Sequence, residues 1–174
     1  SVLLRRWKKM KTNKLDTVNI LFCAIGGQGV LKASELCGWA AIFQGLHVKK
    51  SEVHGMAQRG GSVDSHLRIG SEISSPLIPF GKAHFLVSFH QDEHDRRANF
   101  LDKKGVDLID YLNQYKNKFS DERYLNTYLV GVLSKYLPID EVNWIKAIEL
   151  SFKQKYVEEN KKIFVGKYKV QRRR

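Results

Sequence analysis

The chain has 174 residues, of which 43% are hydrophobic, and both values are typical of one folded domain with a substantial core. Disorder throughout the chain is therefore excluded, and no apolar run approaches the roughly 20 residues that a transmembrane helix needs. The formal net charge is +12, but the basic excess is concentrated at the two ends.

The two ends of the chain are strongly basic, and the part between them is nearly neutral. Four basic residues lie in residues 1–9 and five in residues 167–174, with no acidic residue in either, so the rest carries +3. Basic arms can bind nucleic acid or anionic lipid, although solvated tails without a function have the same composition. We interpret residues 1–15 and 167–174 as tails of a single domain, residues 16–166, and expect neither nucleic acid nor a membrane as partner.

The two cysteines, Cys23 and Cys37, fall in a predicted strand and a predicted helix. Two scattered thiols cannot form a disulfide framework or a four-thiolate iron–sulfur site. We therefore expect two buried, reduced thiols, which indicates a cytoplasmic protein.

The first predicted elements are a strand, a helix and a second strand. Residues 18–24 are continuously apolar, as expected for a central strand that is covered on both faces. Apolar residues recur at spacings of three and four over residues 30–43, which predicts a helix. A short strand at residues 47–50 then leads into a glycine-rich loop.

The rest of the chain continues this alternation and then becomes helical. Residues 62–69 alternate apolar and polar side chains, which predicts a strand with one exposed face, and a hairpin partner is predicted at residues 72–74. A buried strand at residues 83–89, a helix at 90–101, a strand at 106–109 and a polar loop at 116–120 are predicted next. Three helices follow. The first is predicted at residues 121–136, the second is capped by Asp140 and has an apolar stripe of Val142, Ile145, Ile148 and Phe152, and the third is predicted at residues 157–166. This order predicts an α/β fold with three α/β/α layers, a mixed, mostly parallel sheet and a helical C-terminal third.

The first candidate site is the segment IGGQG at residues 25–29, which joins the first predicted strand to the first predicted helix. Its glycines allow close approach of a ligand to the backbone, and the free N–H groups of the helix start favour a phosphate or carboxylate. The glycine spacing does not match the dinucleotide fingerprint, and the Walker lysine is absent. A tight structural turn and an anion site both remain open. The candidate residues are Gly26, Gly27, Gln28 and Gly29.

The second candidate site is the segment SEVHGMAQRGG at residues 51–61, a polar, glycine-rich loop between two predicted strands. Arg59 has the guanidinium fork that binds a phosphate or carboxylate, and His54 is a candidate for proton transfer. The alternative is a self-satisfied loop in which Arg59 pairs with Glu52 and His54 caps the backbone. The candidate residues are Glu52, His54, Gln58, Arg59, Gly60 and Gly61.

A third pattern, HQDEH at residues 90–94, has the spacing of one class of zinc proteases. The pattern is only five residues long, and no third ligand is identifiable, so we interpret it as coincidence and predict no metal site. A metal hydrolase built on His90 and His94 is the weakest functional hypothesis.

The two glycine-rich segments, followed by SPLIP at residues 75–79, resemble the gamma-type domain of the 2-oxoacid:ferredoxin oxidoreductases. The form HGMAQRGG is most similar to the beta (small) subunits of the indolepyruvate ferredoxin oxidoreductases, whereas gamma subunits of the pyruvate and oxoglutarate enzymes read closer to YGPEARGG. The similarity is dense over residues 19–89 and thinner afterwards. The charged run HQDEHDRR and residues 99–120 depart from the family pattern.

The resemblance implies an accessory subunit whose isolated chain is inactive. It implies a large alpha subunit that carries thiamine diphosphate, magnesium and iron–sulfur clusters, none of which this chain binds alone. The sequence agrees, since it lacks a GDG motif and a cysteine cluster. The family reaction converts an arylpyruvate and coenzyme A, the co-substrate, to an acyl thioester and carbon dioxide, and ferredoxin receives the electrons.

For individual residues, the resemblance implies that the first glycine loop receives an anion. It implies that His54, Gln58 and Arg59 face a cleft shared with the large subunit, with Arg59 as the anion clamp. No catalytic residue is assigned firmly, and His54 is the candidate. The competing hypothesis is a stand-alone nucleotide- or anion-binding module with basic tails, against which the nearly neutral body argues.

Overall fold

The computed structural model describes residues 17–56 and 60–166, in which five strands form one mixed sheet in the order β2-β3-β1-β4-β5. The strands are β1 Val18–Ile25, β2 His47–His54, β3 Ser62–Gly70, β4 Ala83–Ser88 and β5 Leu101–Asp107. β1, β4 and β5 are parallel, whereas β3 runs antiparallel to both of its neighbours, β1 and β2. Helices cover both faces, so the predicted α/β fold with a mixed sheet is confirmed.

Six helices lie between and after the strands in the described residues. They are α1 Val30–Phe43, α2 Gln91–Arg97, α3 Ile109–Lys118, α4 Leu125–Ser134, α5 Glu141–Ser151 and α6 Gln154–Phe164, with short 3-10 turns at Ala98–Phe100 and Glu122–Tyr124. After β5 the described chain contains helices and turns alone, as predicted. No helix in the described ranges has the length and apolar character needed to cross a lipid bilayer.

The central strand β1 contributes to a separate core on each face of the sheet. Ile20 and Phe22 belong to the larger core, which also contains apolar side chains of α1 and of α3 to α6. Leu21 and Cys23 belong to a smaller core with Ile78 and other side chains of the opposite face. Because successive side chains of a strand point to opposite faces, burial on both faces explains the continuous apolar run of this segment.

The prediction of an exposed face on β3 is wrong. Asp64 and His66 are each only 4% exposed, because the segment between β3 and β4 and the helix α2 cover this face. The Ile78 N–H donates to His66 Nδ1 at 3.0 Å, and Arg97 pairs with Asp64. The covering segment is not the predicted hairpin partner, since residues 72–74 form no strand.

Several predicted boundaries are also wrong. β2 continues to His54, so residues 51–54 are strand and not loop. The strand predicted at residues 106–109 overlaps the end of β5, which begins earlier at Leu101, whereas α3 extends into the predicted polar loop at residues 116–120. The helix after β4 ends at Arg97. In α5, Val142 is 59% exposed, and the buried face includes Asn143 and Trp144 instead. The other three residues of the predicted stripe are correct, since Ile148 is buried and Ile145 and Phe152 pack against the core. Asn143 is buried as a hydrogen-bond donor to Gln44, which an apolar pattern cannot indicate.

The contact between α4 and α6 depends on Gly131, because a Cβ there would lie 2.5 Å from the Phe164 carbonyl oxygen. We expect Gly131→Ala to lower the free energy of unfolding by about 1–3 kcal/mol, since backbone atoms must move apart. The control is Gly38→Ala in α1, where the nearest atoms lie 3.8 Å away. That variant should gain about 0.5–1 kcal/mol from helix propensity. Urea unfolding followed by circular dichroism measures both, and equal changes would contradict the packing argument.

Candidate functional site

The candidate site lies at the sheet edge where β1 and β4 end and where the loop between β2 and β3 turns back. The Gly26 N–H donates to the Gly61 carbonyl at 2.9 Å, and the Gly55 N–H donates to the Ser62 carbonyl at 2.7 Å. The two predicted glycine-rich segments therefore meet. Ligands of open α/β sheets bind beyond the carboxyl ends of the strands, so this is the expected position for a site.

The first glycine loop is held together by its own glutamine. Gln28 Oε1 accepts a hydrogen bond from the Ile25 N–H at 2.8 Å, and Gln28 Nε2 donates to the Phe89 carbonyl at 3.2 Å. This side chain therefore ties the loop to the ends of β1 and β4. Gly27 and Gly29 have positive φ values of 89° and 84°, which explains the glycines at both positions.

The start of α1 is the part of this loop that suits an anion. Gly29 is the N-cap, and no side chain in the described residues caps the helix start by a hydrogen bond. The N–H groups of Gly26 and Gln28 are already bonded to carbonyl groups. The positive end of the helix dipole and the first N–H groups of α1 remain directed toward this edge. Anion binding by this loop remains a prediction.

Asn126 of α4 lies against the same helix start and was not predicted from the sequence. A Cβ at Gly29 would lie 3.0 Å from Asn126 Nδ2, so the amide occupies the place that a side chain at Gly29 would need. The segment at residues 126–139 resembles the family, but nothing in its sequence indicates contact with the glycine loop.

The second glycine loop is only partly described. Glu52 and His54 lie exposed near the end of β2, and Glu52 pairs with Lys50 at 2.9 Å. Gln58 and Arg59 lie outside the described residues, so their roles remain predictions. The proton-transfer role of His54 likewise remains a prediction.

A cavity of about 340 Å³, called the first cavity below, opens beside these loops. It is lined by Ile25, Gly55, Met56, Gly60, Gly61, Ser62, Asp92, Glu93 and Arg96. Gly60 and Gly61 were predicted site residues, whereas the three charged residues come from α2 and were not. Their sequence signal was the unusually charged run after β4, whose charges surround the cavity.

The helix α2 begins at the carboxyl end of β4 and carries the charges of the site. His90 is the N-cap, and its Nδ1 accepts a hydrogen bond from the Asp92 N–H. On the helix, Glu93 Oε1 accepts from Arg96 Nη1 at 2.9 Å, and Arg97 Nε donates to Asp64 Oδ2 at 2.5 Å. Two carboxylates are therefore buried at this edge, each paired with one arginine of the same short helix.

A second cavity of about 570 Å³ lies on the other side of Arg96, which lines both. Its walls are mainly apolar and include Phe80 and Phe100, whose ring centroids lie 4.4 Å apart. Asp64 and His66 also line it. Burial lowers the pKa of His66, and the charge of Arg97 lowers it further against the opposing effect of Asp64, so this imidazole is neutral at neutral pH.

The described residues do not fit an iron–sulfur cluster or a metal ion. Burial raises the pKa of the Cys23 thiol to about 12, and the thiol donates to Ser88 Oγ at 3.3 Å. Burial also raises the pKa of Cys37. Both thiols are therefore protonated and inert at neutral pH. Within residues 17–56 and 60–166, no group of three or more metal-binding side chains is present.

The zinc-like spacing of His90 and His94 has a structural explanation. His94 Nε2 lies 2.6 Å from Asp107 Oδ2, and His94 Nδ1 lies 3.1 Å from Asp95 Oδ1. Ionised carboxylates only accept hydrogen bonds, so this geometry requires a proton on both ring nitrogens. Burial opposes the charge, but the hydrogen bonds to Asp107 and Asp95 outweigh it and raise the pKa of His94. His94 thus ties α2 to the end of β5.

Comparison with known families decides the assignment. A sequence model described as pyruvate ferredoxin/flavodoxin oxidoreductase matches residues 19–168 of the chain. The chain belongs to this oxidoreductase family. The resemblance predicted from the two glycine-rich segments is therefore confirmed.

Sequence relatives match about half of the chain, and solved structures match most of its fold. The "indolepyruvate oxidoreductase subunit IorB" of Thermococcus kodakarensis is 44% identical over 88 residues, which cover 51% of this chain and 44% of that protein. The match thus spans less than half the length of this curated relative. The gamma subunit of a keto/oxoacid ferredoxin oxidoreductase from Geobacter sulfurreducens has the same fold, with a TM-score of 0.66, 24% identity, and coverage of 84% of this chain and 94% of that one.

A structure of 2-oxoglutarate:ferredoxin oxidoreductase from Magnetococcus marinus, with 2-oxoglutarate, coenzyme A and succinyl-CoA bound, contains the same fold as part of a longer chain. The TM-score is 0.67 at 14% identity, over 87% of this chain and 30% of that one. The fold of the oxidoreductase-family chain thus occurs both as a separate subunit and as part of a larger chain.

The two side-chain hydrogen bonds of Gln28 are expected to stabilise the folded chain. Gln28→Met should lower the free energy of unfolding by about 1–3 kcal/mol, because the Ile25 N–H and the Phe89 carbonyl lose their side-chain partner. The control is Gln114→Met on the exposed side of α3, which should stay within about 0.5 kcal/mol of the wild type. Urea midpoints measure both, and a neutral Gln28→Met would show that water replaces the amide without loss.

The contacts of His94 generate a pH prediction. Because its pKa is raised by folding, its contribution to stability is fully present below the unfolded value of about 6.5 and is lost as the pH rises through the folded value. The stability difference between wild type and His94→Gln should therefore be largest below about pH 6.5 and should shrink across the pH range above it. In an Asp107→Asn background this pH dependence should be much smaller. A constant difference across the range would contradict the assignment.

Proposed function

We propose that this chain is the small subunit of a thiamine-dependent indolepyruvate or arylpyruvate:ferredoxin oxidoreductase. The observation that carries the proposal is the 44% identity over 88 residues to a protein named as a subunit of indolepyruvate oxidoreductase. The family to which this chain belongs agrees with that name. The HGMAQRGG form of the second glycine loop supports the same branch. The isolated chain is proposed to be inactive, because the described residues contain no group of three or more side chains that could hold an iron–sulfur cluster or another metal centre.

The proposed reaction oxidises the carbonyl carbon of the arylpyruvate. The carboxylate leaves as carbon dioxide, and the two electrons of the broken carbon–carbon bond pass to ferredoxin. The thiol of coenzyme A loses its proton to solvent, and its sulfur forms a thioester bond with the former carbonyl carbon. Thiamine diphosphate, held with magnesium and the iron–sulfur clusters by a large partner subunit, supplies the carbanion chemistry when bound. The small subunit supplies binding groups around the reacting molecules.

The groups that this chain offers are suited to anions. The helix start at Gly29 directs N–H groups toward the open sheet edge, and Arg96 of the first cavity has a side chain that is 62% exposed. Both the oxoacid carboxylate and the phosphates of coenzyme A are anions of the required kind. Coenzyme A in a solved relative of the same fold supports this role. In the proposal Arg59 completes the anion site, and His54 is the candidate for proton transfer.

The proposal predicts activity only in the complex. Co-purified with its large subunit, the chain should support arylpyruvate- and coenzyme A-dependent reduction of ferredoxin or a redox dye, whereas the chain alone should not. Arg59→Ala should raise the apparent KM for the oxoacid, for coenzyme A or for both by about 10- to 100-fold, as expected for a lost charge-assisted hydrogen bond.

The matched control is Arg123→Ala, which removes an exposed arginine that pairs with Asp121 near α4. This variant should retain wild-type kinetic constants. A purified complex without oxoacid-dependent reduction would reject the proposed function. A complex in which Arg59→Ala behaves like Arg123→Ala would reject only the anion-clamp role of Arg59.

A further inference from the structure

The carboxylate of Glu93 is buried in the first cavity with one oxygen unused. The residue is 2% exposed, and Oε1 accepts the hydrogen bond from Arg96. Oε2 has no hydrogen-bond partner in the described structure and almost no accessible surface. A buried acceptor without a partner is unfavourable, especially when it is charged, so native proteins rarely retain one without a function.

The side chains around Glu93 favour a cationic partner. The first cavity contains two carboxylates, Asp92 and Glu93, and one guanidinium, Arg96, so its described lining has an excess of negative charge. Ile25 and the fully exposed Met56 provide apolar surface at the same cavity. A group with an apolar stem and a positively charged end complements this combination.

Arg96 is the group that an incoming cation would displace. Its side chain is 62% exposed, and its other contact is a weak one to Ser62 Oγ at 3.5 Å. Because its guanidinium lies largely in water, Arg96 can leave Glu93 at low cost when the incoming cation takes its place on the buried carboxylate. Oε2 has almost no accessible surface in the free chain, so a cation reaches it only when a neighbouring group moves. Arg96 already contacts the other oxygen of this carboxylate and is largely exposed, so it is the group that we expect to move.

We propose that the first cavity receives a basic side chain, an arginine or a lysine, from the large partner subunit. The stem packs against Ile25 and Met56, and the charged end binds Glu93 Oε2 and Asp92. This inference rests on the proposed function and adds the contact by which the two subunits join beside the glycine loops. The buried charge of Glu93 lowers the stability of the free chain and strengthens binding in the complex.

Glu93 is thus expected to have opposite effects on the stability of the free chain and on binding to the large subunit, and this difference can be measured. Glu93→Gln and Glu93→Met both remove the buried charge, so the free chain should be as stable as the wild type or more stable in urea. The same variants should weaken binding to the purified large subunit at least about tenfold, because the basic side chain loses its partner. A residue that merely supports the fold would lower both quantities together.

The experiment measures the Kd of the purified large subunit for each chain by calorimetry, beside urea unfolding of the free chains. The control is Asp110→Asn, an exposed carboxylate of α3 whose loss changes the net charge equally and should alter the Kd less than about twofold. Weaker binding by both Glu93 variants with undiminished stability of the free chains supports the proposal.

Three outcomes would overturn it. An unchanged Kd for both variants shows that no basic group binds Glu93. Destabilised free chains show that Glu93 is satisfied without the partner, and if Arg59→Met then adds no further loss, the occupant is Arg59 of this chain. A wild-type chain that does not bind the large subunit at all removes the proposed function together with this inference, whereas a normal complex with indifferent Glu93 variants removes the inference alone.

Discussion

The hydrogen bond from the Gly26 N–H to the Gly61 carbonyl is the constraint on which the candidate site depends. It joins the loop after the central strand to the loop of the β2–β3 hairpin, so two segments separated by a helix and a strand form one surface. Gln28 adds the end of β4 through the Phe89 carbonyl. Because α1 and α2 begin immediately after β1 and β4, the same bonds also place two helix starts beside the glycines.

The second feature of the site is a pair of buried acids on one side of these loops. Asp64 lies on β3 and Glu93 on α2, and each is paired with an arginine of the same seven-residue helix. The Asp64–Arg97 pair joins α2 to β3, and breaking a buried pair of this kind typically costs about 3–5 kcal/mol. The Glu93–Arg96 pair lies within α2 and does not anchor the helix. His94 adds a second anchor, to β5. The charged run after β4 is thus a structural requirement of the site as well as a source of its charge.

The sequence predicted the sheet and the first glycine loop because both follow from strong local patterns. A continuous apolar strand and three glycines before a helix leave few alternatives. The sequence could not predict that Gln28 bonds within its own loop, or that Asn126 contacts Gly29 from a helix nearly a hundred residues away. Asp64 and His66 looked exposed, because alternation reports only which face a side chain lies on. Whether a segment with two prolines covers that face is a tertiary property.

Arg96 borders both cavities, so a group bound in one would meet the same guanidinium as a group bound in the other. A group that draws the guanidinium into one cavity changes the shape and charge of the other, although the two occupants need not touch. Linkage requires this influence to be mutual, so each occupant alters the affinity of the other by the same factor. A single exposed side chain on a short helix is thus the shared wall of two cavities, and the cavity that its guanidinium enters would set the sign of any coupling between them.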